Sequence, residues 1–268
     1  MPDDIIYKIL PPDDTTQENT FTWAEILEVF NQYRQTTFDE LIQNNAFVRT
    51  IITNDDLLFY ILTQCVRSYR LSELINKIYD QHHNIRQCLD VLTTNTYLNI
   101  RSFLNHLDSN ICCDVFDMLY EDHPELFANI SALIGCDDEM FVLHILDQLG
   151  PEYFNSYPYI IHKACKYHHV MVVAKLLQWG HDPNIRKYKV RGDIIKSNNA
   201  LDCLIKSNIE HPDSFRALLY ILKNKCKMTS RTYDLIQNLD GYYGQIVFDC
   251  FKSDLKDYEL AFLIDKIK

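Results

Sequence analysis

The 268 residues carry 37 acidic against 26 basic side chains, a formal charge of −11, and 47% are hydrophobic. That much apolar area supports one large core or two ordinary ones and excludes a disordered chain, and the negative field disfavours nucleic acid and anionic lipid as partners. The acidic start has no signal-peptide pattern, no apolar run reaches membrane-spanning length, and nine cysteines without a C-x-x-C pair read as reduced thiols, so a cytoplasmic, reducing compartment is expected.

Only 6 glycines and 8 prolines punctuate the chain, and helix-period apolar patterns dominate over strict alternation, so the expected fold class is all-α. Residues 1 to 21 read as a polar lead-in with an apolar patch at Ile5, Ile6, Ile9 and Leu10. This opening resembles the start of an F-box, the helical ligase-docking motif, but the rest of that motif does not follow. Thr22 is placed to cap a helix through Trp23, Ile26, Leu27 and Phe30, and Thr37 to Glu40 has the capping-box spacing that starts another. The polar run Thr93-Thr94-Asn95-Thr96 suggests a boundary, giving an N-terminal helical region at 1–94 and a second region at 95–268.

The second region repeats. Val173, Leu176 and Leu177 form a stripe at i, i+3 and i+4, matched upstream by Val142, Ile145 and Leu146 and by Val115, Met118 and Leu119. Downstream the stripe returns at Leu218, Ile221 and Leu222 and at Leu260, Leu263 and Ile264, and Cys88, Val91 and Leu92 make a weaker early copy. Such a stripe lies on one helical face. A shorter apolar helix is expected before each of three stripes, at Leu126 to Ile134, Tyr159 to Tyr167 and Ala200 to Ile205. A helix pair of about thirty residues cannot bury its own face and must stack on neighbours, so a helix-turn-helix solenoid with an N-terminal helical cap is expected.

The stretch from Tyr159 to Asn184 closely resembles an ankyrin repeat. It matches the family pattern at His162, Ala164, His169, Val172, Val173, Leu176, Leu177, Gly180, Asp182, Pro183 and Asn184. Asn199-Ala200-Leu201-Asp202 looks like the start of the next repeat. Two departures stand out. The family's Thr-Pro is Tyr159-Ile160 here, and the helix-joining glycine is His168, which must accept a left-handed backbone or let the turn rearrange. The resemblance accounts for His162, Cys165 and His169 structurally, at the first helix start, between helices and at the second helix start, so no metal or other cofactor is expected.

The resemblance also implies a non-catalytic module that recognises a folded protein through a concave face. The link from Asn184 to Asn199 exceeds the family's hairpin length, making residues 185–198 an extended finger. Arg186, Lys187, Lys189, Arg191 and Lys196 oppose Asp193 there, and Tyr188 and Val190 alternate with them. The protein-binding candidates are Arg186, Lys187, Tyr188, Lys189 and Arg191, with Trp179 and His181 beside them. Cations on a projecting loop of an acidic chain suit a partner with an acidic patch, and a solvated loop is the alternative. A monomer is expected. In composition the chain is similar to ankyrin-containing effectors that intracellular bacteria deliver into host cytosol without a Sec signal, and to host-range factors of large DNA viruses. Two other readings are a ubiquitin-ligase adaptor and a cysteine-dependent hydrolase built on Cys112, Cys113 or Cys136, although no catalytic motif is present.

Overall fold

The computed structural model describes residues 48, 52–64, 67–80, 84–191, 194–207, 211–239 and 241–251, with backbone alone at 188–191 and 194–197. The F-box-like opening, the helices expected at Thr22 and Thr37 and the stripe at Leu260 lie outside these residues. By compactness the chain divides into two units, Met1–Ala128 and Asn129–Lys268.

In the first unit, α1 (Asp55–Gln64), α2 (Ser68–Ile78), α3 (Ile85–Thr93), α4 (Ile100–Asn105) and α5 (Cys112–Asp122) are followed by a 3-10 turn at Pro124–Phe127. Helices pack on the next but one: α1 on α3, α2 on α4, and α3 on α5. The sequence stripes explain why. Cys88 and Leu92 on α3 and Val115 and Leu119 on α5 are buried, and each apolar side chain removed from water contributes about 1.5 to 3 kcal/mol. Polar ties fix the register between pairs, with the Ser72 hydroxyl donating to the Phe103 carbonyl at 2.6 Å and the Asn95 amide to the Leu62 carbonyl at 2.6 Å. Helices of this paired kind thus already occur before residue 94, the boundary expected from composition, which falls at the end of α3.

The second unit contains a 3-10 segment at Ile130–Gly135, α6 (Glu139–Phe154), α7 (Ile160–Lys166), α8 (Val170–Gln178), strands β1 (Lys187–Arg191) and β2 (Ile194–Asn198), then α9 (Ala200–Ile205), α10 (Pro212–Leu222), α11 (Ser230–Ile236) and α12 (Gly241–Phe251). Two rows result. The 3-10 segment, α7, α9 and α11 pack in series, and so do α6, α8, α10 and α12. Val142, Ile145 and Leu146 on α6, Val173 and Leu176 on α8, and Leu218 and Leu222 on α10 are buried, while the remaining stripe residues Leu177 and Ile221 are half-buried. Hydrogen bonds between pairs recur at separations of 27 to 33 residues, including Lys223 to the Cys250 carbonyl, Thr232 to Asp202, Lys163 to the Ser131 carbonyl and His169 to the Cys136 carbonyl.

Helix α6 breaks at Gly150, whose φ of +71° suits glycine alone, and Pro151 restarts the turn. The helix expected at Leu126 to Ile134 is instead two 3-10 stretches separated at Asn129, whose side chain accepts from the Ser131 hydroxyl. A short polar side chain that bonds its own neighbourhood competes with the helical ladder there. Helix dominates the described residues, and the one paired sheet among them is the β1–β2 hairpin. No helix among them is long and apolar enough to cross a membrane.

Candidate functional site

The candidate surface rests on α7, its turn and α8. At the end of α7 the His169 amide donates to the Ala164 carbonyl at 3.0 Å and the His168 amide to the Cys165 carbonyl at 3.2 Å. This closure needs a left-handed residue between helix and exit, and His168 supplies it at φ 60°. A side chain there costs roughly 1 kcal/mol against glycine. His168 offsets that cost: its Nε2 bonds the Ser207 hydroxyl at 2.6 Å, and its ring meets Phe215 edge-on. The end of α8 repeats the closure with glycine, the His181 amide donating to the Leu176 carbonyl and Gly180 standing at φ +87°.

The histidine-rich stretch is therefore two helices with a turn between them. His162 is buried and stacks on Tyr159 at 5.6 Å between centroids, and neither ring nitrogen makes a hydrogen bond of good geometry. Burial pushes its pKa down to about 4, the Ile185 backbone opposing and Lys187 assisting. Cys165 is fully buried, and burial raises its thiol well above the ordinary range. His169 stands at the N-terminus of α8 and its Nε2 meets the Cys136 carbonyl at 2.9 Å; burial lowers its pKa. The first-turn amides of α8 are satisfied from elsewhere, since Glu139 accepts from Met171 at 2.6 Å and from Val172 at 3.2 Å. Among the described residues no three His, Cys, Asp or Glu side chains are grouped to hold a metal.

Beyond Gly180 the chain enters the finger through a fastened base. Asp182 accepts from the Asn184 amide, and the Ala200 amide donates to the Pro183 carbonyl at 3.0 Å. The side chain of Asn184 donates to the Lys225 carbonyl at 2.6 Å and accepts from the Lys227 amide at 2.7 Å, while Asn199 donates to the Lys227 carbonyl at 3.0 Å. Asn199 and Asp202 cap α9 reciprocally, and the Thr232 hydroxyl reaches Asp202 at 2.6 Å from α11.

From this base β1 and β2 run antiparallel, pairing Lys187 with Asn198, Tyr188 with Ser197, Lys189 with Lys196, Val190 with Ile195 and Arg191 with Ile194. β2 also meets α9. The expected ribbon is thus present in the backbone, and Tyr188, Lys189 and Arg191 occupy β1. Arg186 and Lys187 are exposed at its root, and the Lys187 ammonium lies 5.7 Å from the Tyr159 ring centroid. Trp179 sits at the end of α8, half-buried, stacked on the buried Phe154 at 6.2 Å with Lys175 over its ring at 5.5 Å. Packing therefore claims one face of it. His181 is half-buried, its Nε2 has no hydrogen-bond partner, and burial lowers its pKa. The sequence reading placed Asn199 at the start of a repeat but did not single out Glu139 or Thr232 as anchors of this frame; only an acidic first turn of one helix lying beside the start of another could have flagged Glu139.

Among the described cysteines, Cys88, Cys112, Cys136, Cys165, Cys226 and Cys250 are buried, and Cys113 and Cys203 are half-buried. Burial pushes Cys88 and Cys226 up to about 12 and Cys203 to about 11, which keeps them protonated at neutral pH. Cys113 lies in the first turn of α5.

No known protein family, curated protein or solved structure matches the chain.

Proposed function

We propose that this chain is a non-catalytic protein-recognition module of the ankyrin type, which grips a folded partner with the finger at 185–198 and the row formed by 130–135, α7, α9 and α11. The observation that carries the reading is the α7–turn–α8 unit. A left-handed His168 sits where the repeat pattern wants glycine, and a hairpin fastened to the next helix pair follows. The exposed Arg186 and Lys187 at the root of that hairpin, on a chain of charge −11, favour an acidic patch on the partner. The work is done as a monomer in a reducing cytosol, and in the effector reading that cytosol belongs to a host cell. Affinity would come from modest contacts spread over several pairs.

Affinity capture from host-cell lysate tests this by comparing the intact chain with one whose finger is shortened across 186–197 and one carrying Arg186→Glu, Lys187→Glu and Arg191→Glu. A partner retained by the first and lost by both variants supports the reading, whereas identical recovery by all three refutes it. A thiol hydrolase is the second reading, supported by Cys113 at the start of α5. It requires rapid stoichiometric labelling of that thiol by iodoacetamide below neutral pH, and uniformly slow labelling of all thiols dismisses it.

A further inference from the structure

The row that does not carry the finger has a surface feature of its own. On α6, Met140, Leu143, His144 and Asp147 stand at i, i+3, i+4 and i+7, and on α8, Met171, Ala174, Lys175 and Gln178 repeat the spacing. The two sets face each other across an open groove of about 620 Å³. Seven residues of helix rise about 10 Å, so the groove is two turns long. Its N-terminal end is apolar. Met140 is 63% exposed and Met171 54%, and among the described residues every other exposed large hydrophobic side chain is a tyrosine. The two large side chains left in water without any polar tip thus line the same groove. Unbranched thioethers reshape readily around an incoming side chain, which suits them to a binding surface.

The electrostatics of the groove select the occupant. Helix α6 carries Glu139, Asp147 and Glu152 and no cation, and Asp137 and Asp138 precede it directly. Helix α8 brings Lys175 alone, and that ammonium is already paired with Asp147. A cleft apolar at one end, on helices that carry more carboxylates than cations, repels anionic lipid, and a second copy of a chain of charge −11 is disfavoured too. We propose that the groove between α6 and α8 takes an amphipathic helix of a partner protein that places leucine-like residues over Met140 and Met171 and lysine or arginine beside them. Anchors at i, i+3, i+4 and i+7 on an incoming helix match the two turns available. This surface is separate from the finger, so either can fail without the other.

The test uses the full chain labelled at the methionine methyls and a 14-residue helical peptide with leucine on one face and lysine elsewhere. Its twin carries glutamate in place of lysine. Titration should shift the Met140 and Met171 methyl resonances and leave Met118 and Met228 in place. The lysine peptide should bind at least tenfold more tightly than the glutamate twin and lose that advantage as salt rises. Met140→Gln with Met171→Gln should weaken binding about tenfold while the circular dichroism spectrum stays unchanged, since both side chains are exposed. Three results would overturn the proposal: methyls that stay still, equal binding of the two peptides, or binding unaffected by the double substitution. A dimer in sedimentation that the double substitution abolishes would overturn it too, by making a second copy the occupant, as would binding to vesicles rich in phosphatidylglycerol in preference to the peptide.

Discussion

His162 gives the most direct test of the interior. Its ordinary pKa is about 6.5 in the unfolded chain and about 4 in the folded one, because burial opposes the charged ring and Lys187 lies near. A group whose folded pKa is depressed in this way binds its proton more readily in the unfolded state. The stability it permits is complete above pH 6.5, falls as the pH drops from there towards 4, and changes no further below that. The loss accumulated at pH 4 is about 3 kcal/mol, set against a whole-domain stability of roughly 5 to 15 kcal/mol. His162→Leu removes the titration and keeps a side chain that suits the site. Denaturant unfolding of both proteins at pH 7, 6, 5 and 4 should therefore show the wild type losing about 3 kcal/mol relative to the variant across that range. A nuclear resonance titration of the ring should give a midpoint near 4. Parallel stability profiles, or a midpoint between 6 and 7, would show that the ring is hydrated and the burial argument wrong.

Three substitutions probe the frame. His168→Gly relieves roughly 1 kcal/mol of backbone strain but gives up the Ser207 bond and the Phe215 contact, so a net loss of about 1 kcal/mol is expected in urea unfolding; a clear gain would mean the side chain does nothing there. Thr232→Val leaves the buried Asp202 carboxylate short of a donor and should cost about 1 to 3 kcal/mol, read as a lowered thermal midpoint. Phe154→Ala removes the support under Trp179 and should cost about 3 to 5 kcal/mol, with a red shift in tryptophan emission; an unmoved spectrum would refute the stacking.

The sequence made the skeleton legible because the constraint there is periodic. Val142, Val173 and Leu218 had to face inward on their helices, and they do. At His168 the resemblance left two outcomes open, a left-handed backbone or a rearranged turn, and the φ of 60° is the first of them. What escaped notice is what links one pair to the next. Glu139 serves amides thirty-two and thirty-three residues away, and the Asp202 to Thr232 contact spans thirty; neither partner can be read from its own neighbourhood. The segment after Leu126 misled for a local reason, because its apolar residues fit a helix while Asn129 diverts the backbone into two 3-10 stretches. For the finger, charge and spacing announced a ribbon, and the pairing from Lys187 to Asn198 supplies its register.

Asn184 and Asn199 tie both legs of the ribbon to one short piece of backbone, Lys225 to Lys227. On the proposed reading, a partner gripped by the ribbon would pull on this shared anchor through Asn184 and Asn199. If the proposed partner does bind there, the Lys227 amide, which donates to Asn184, should exchange more slowly, giving a remote gauge of occupancy.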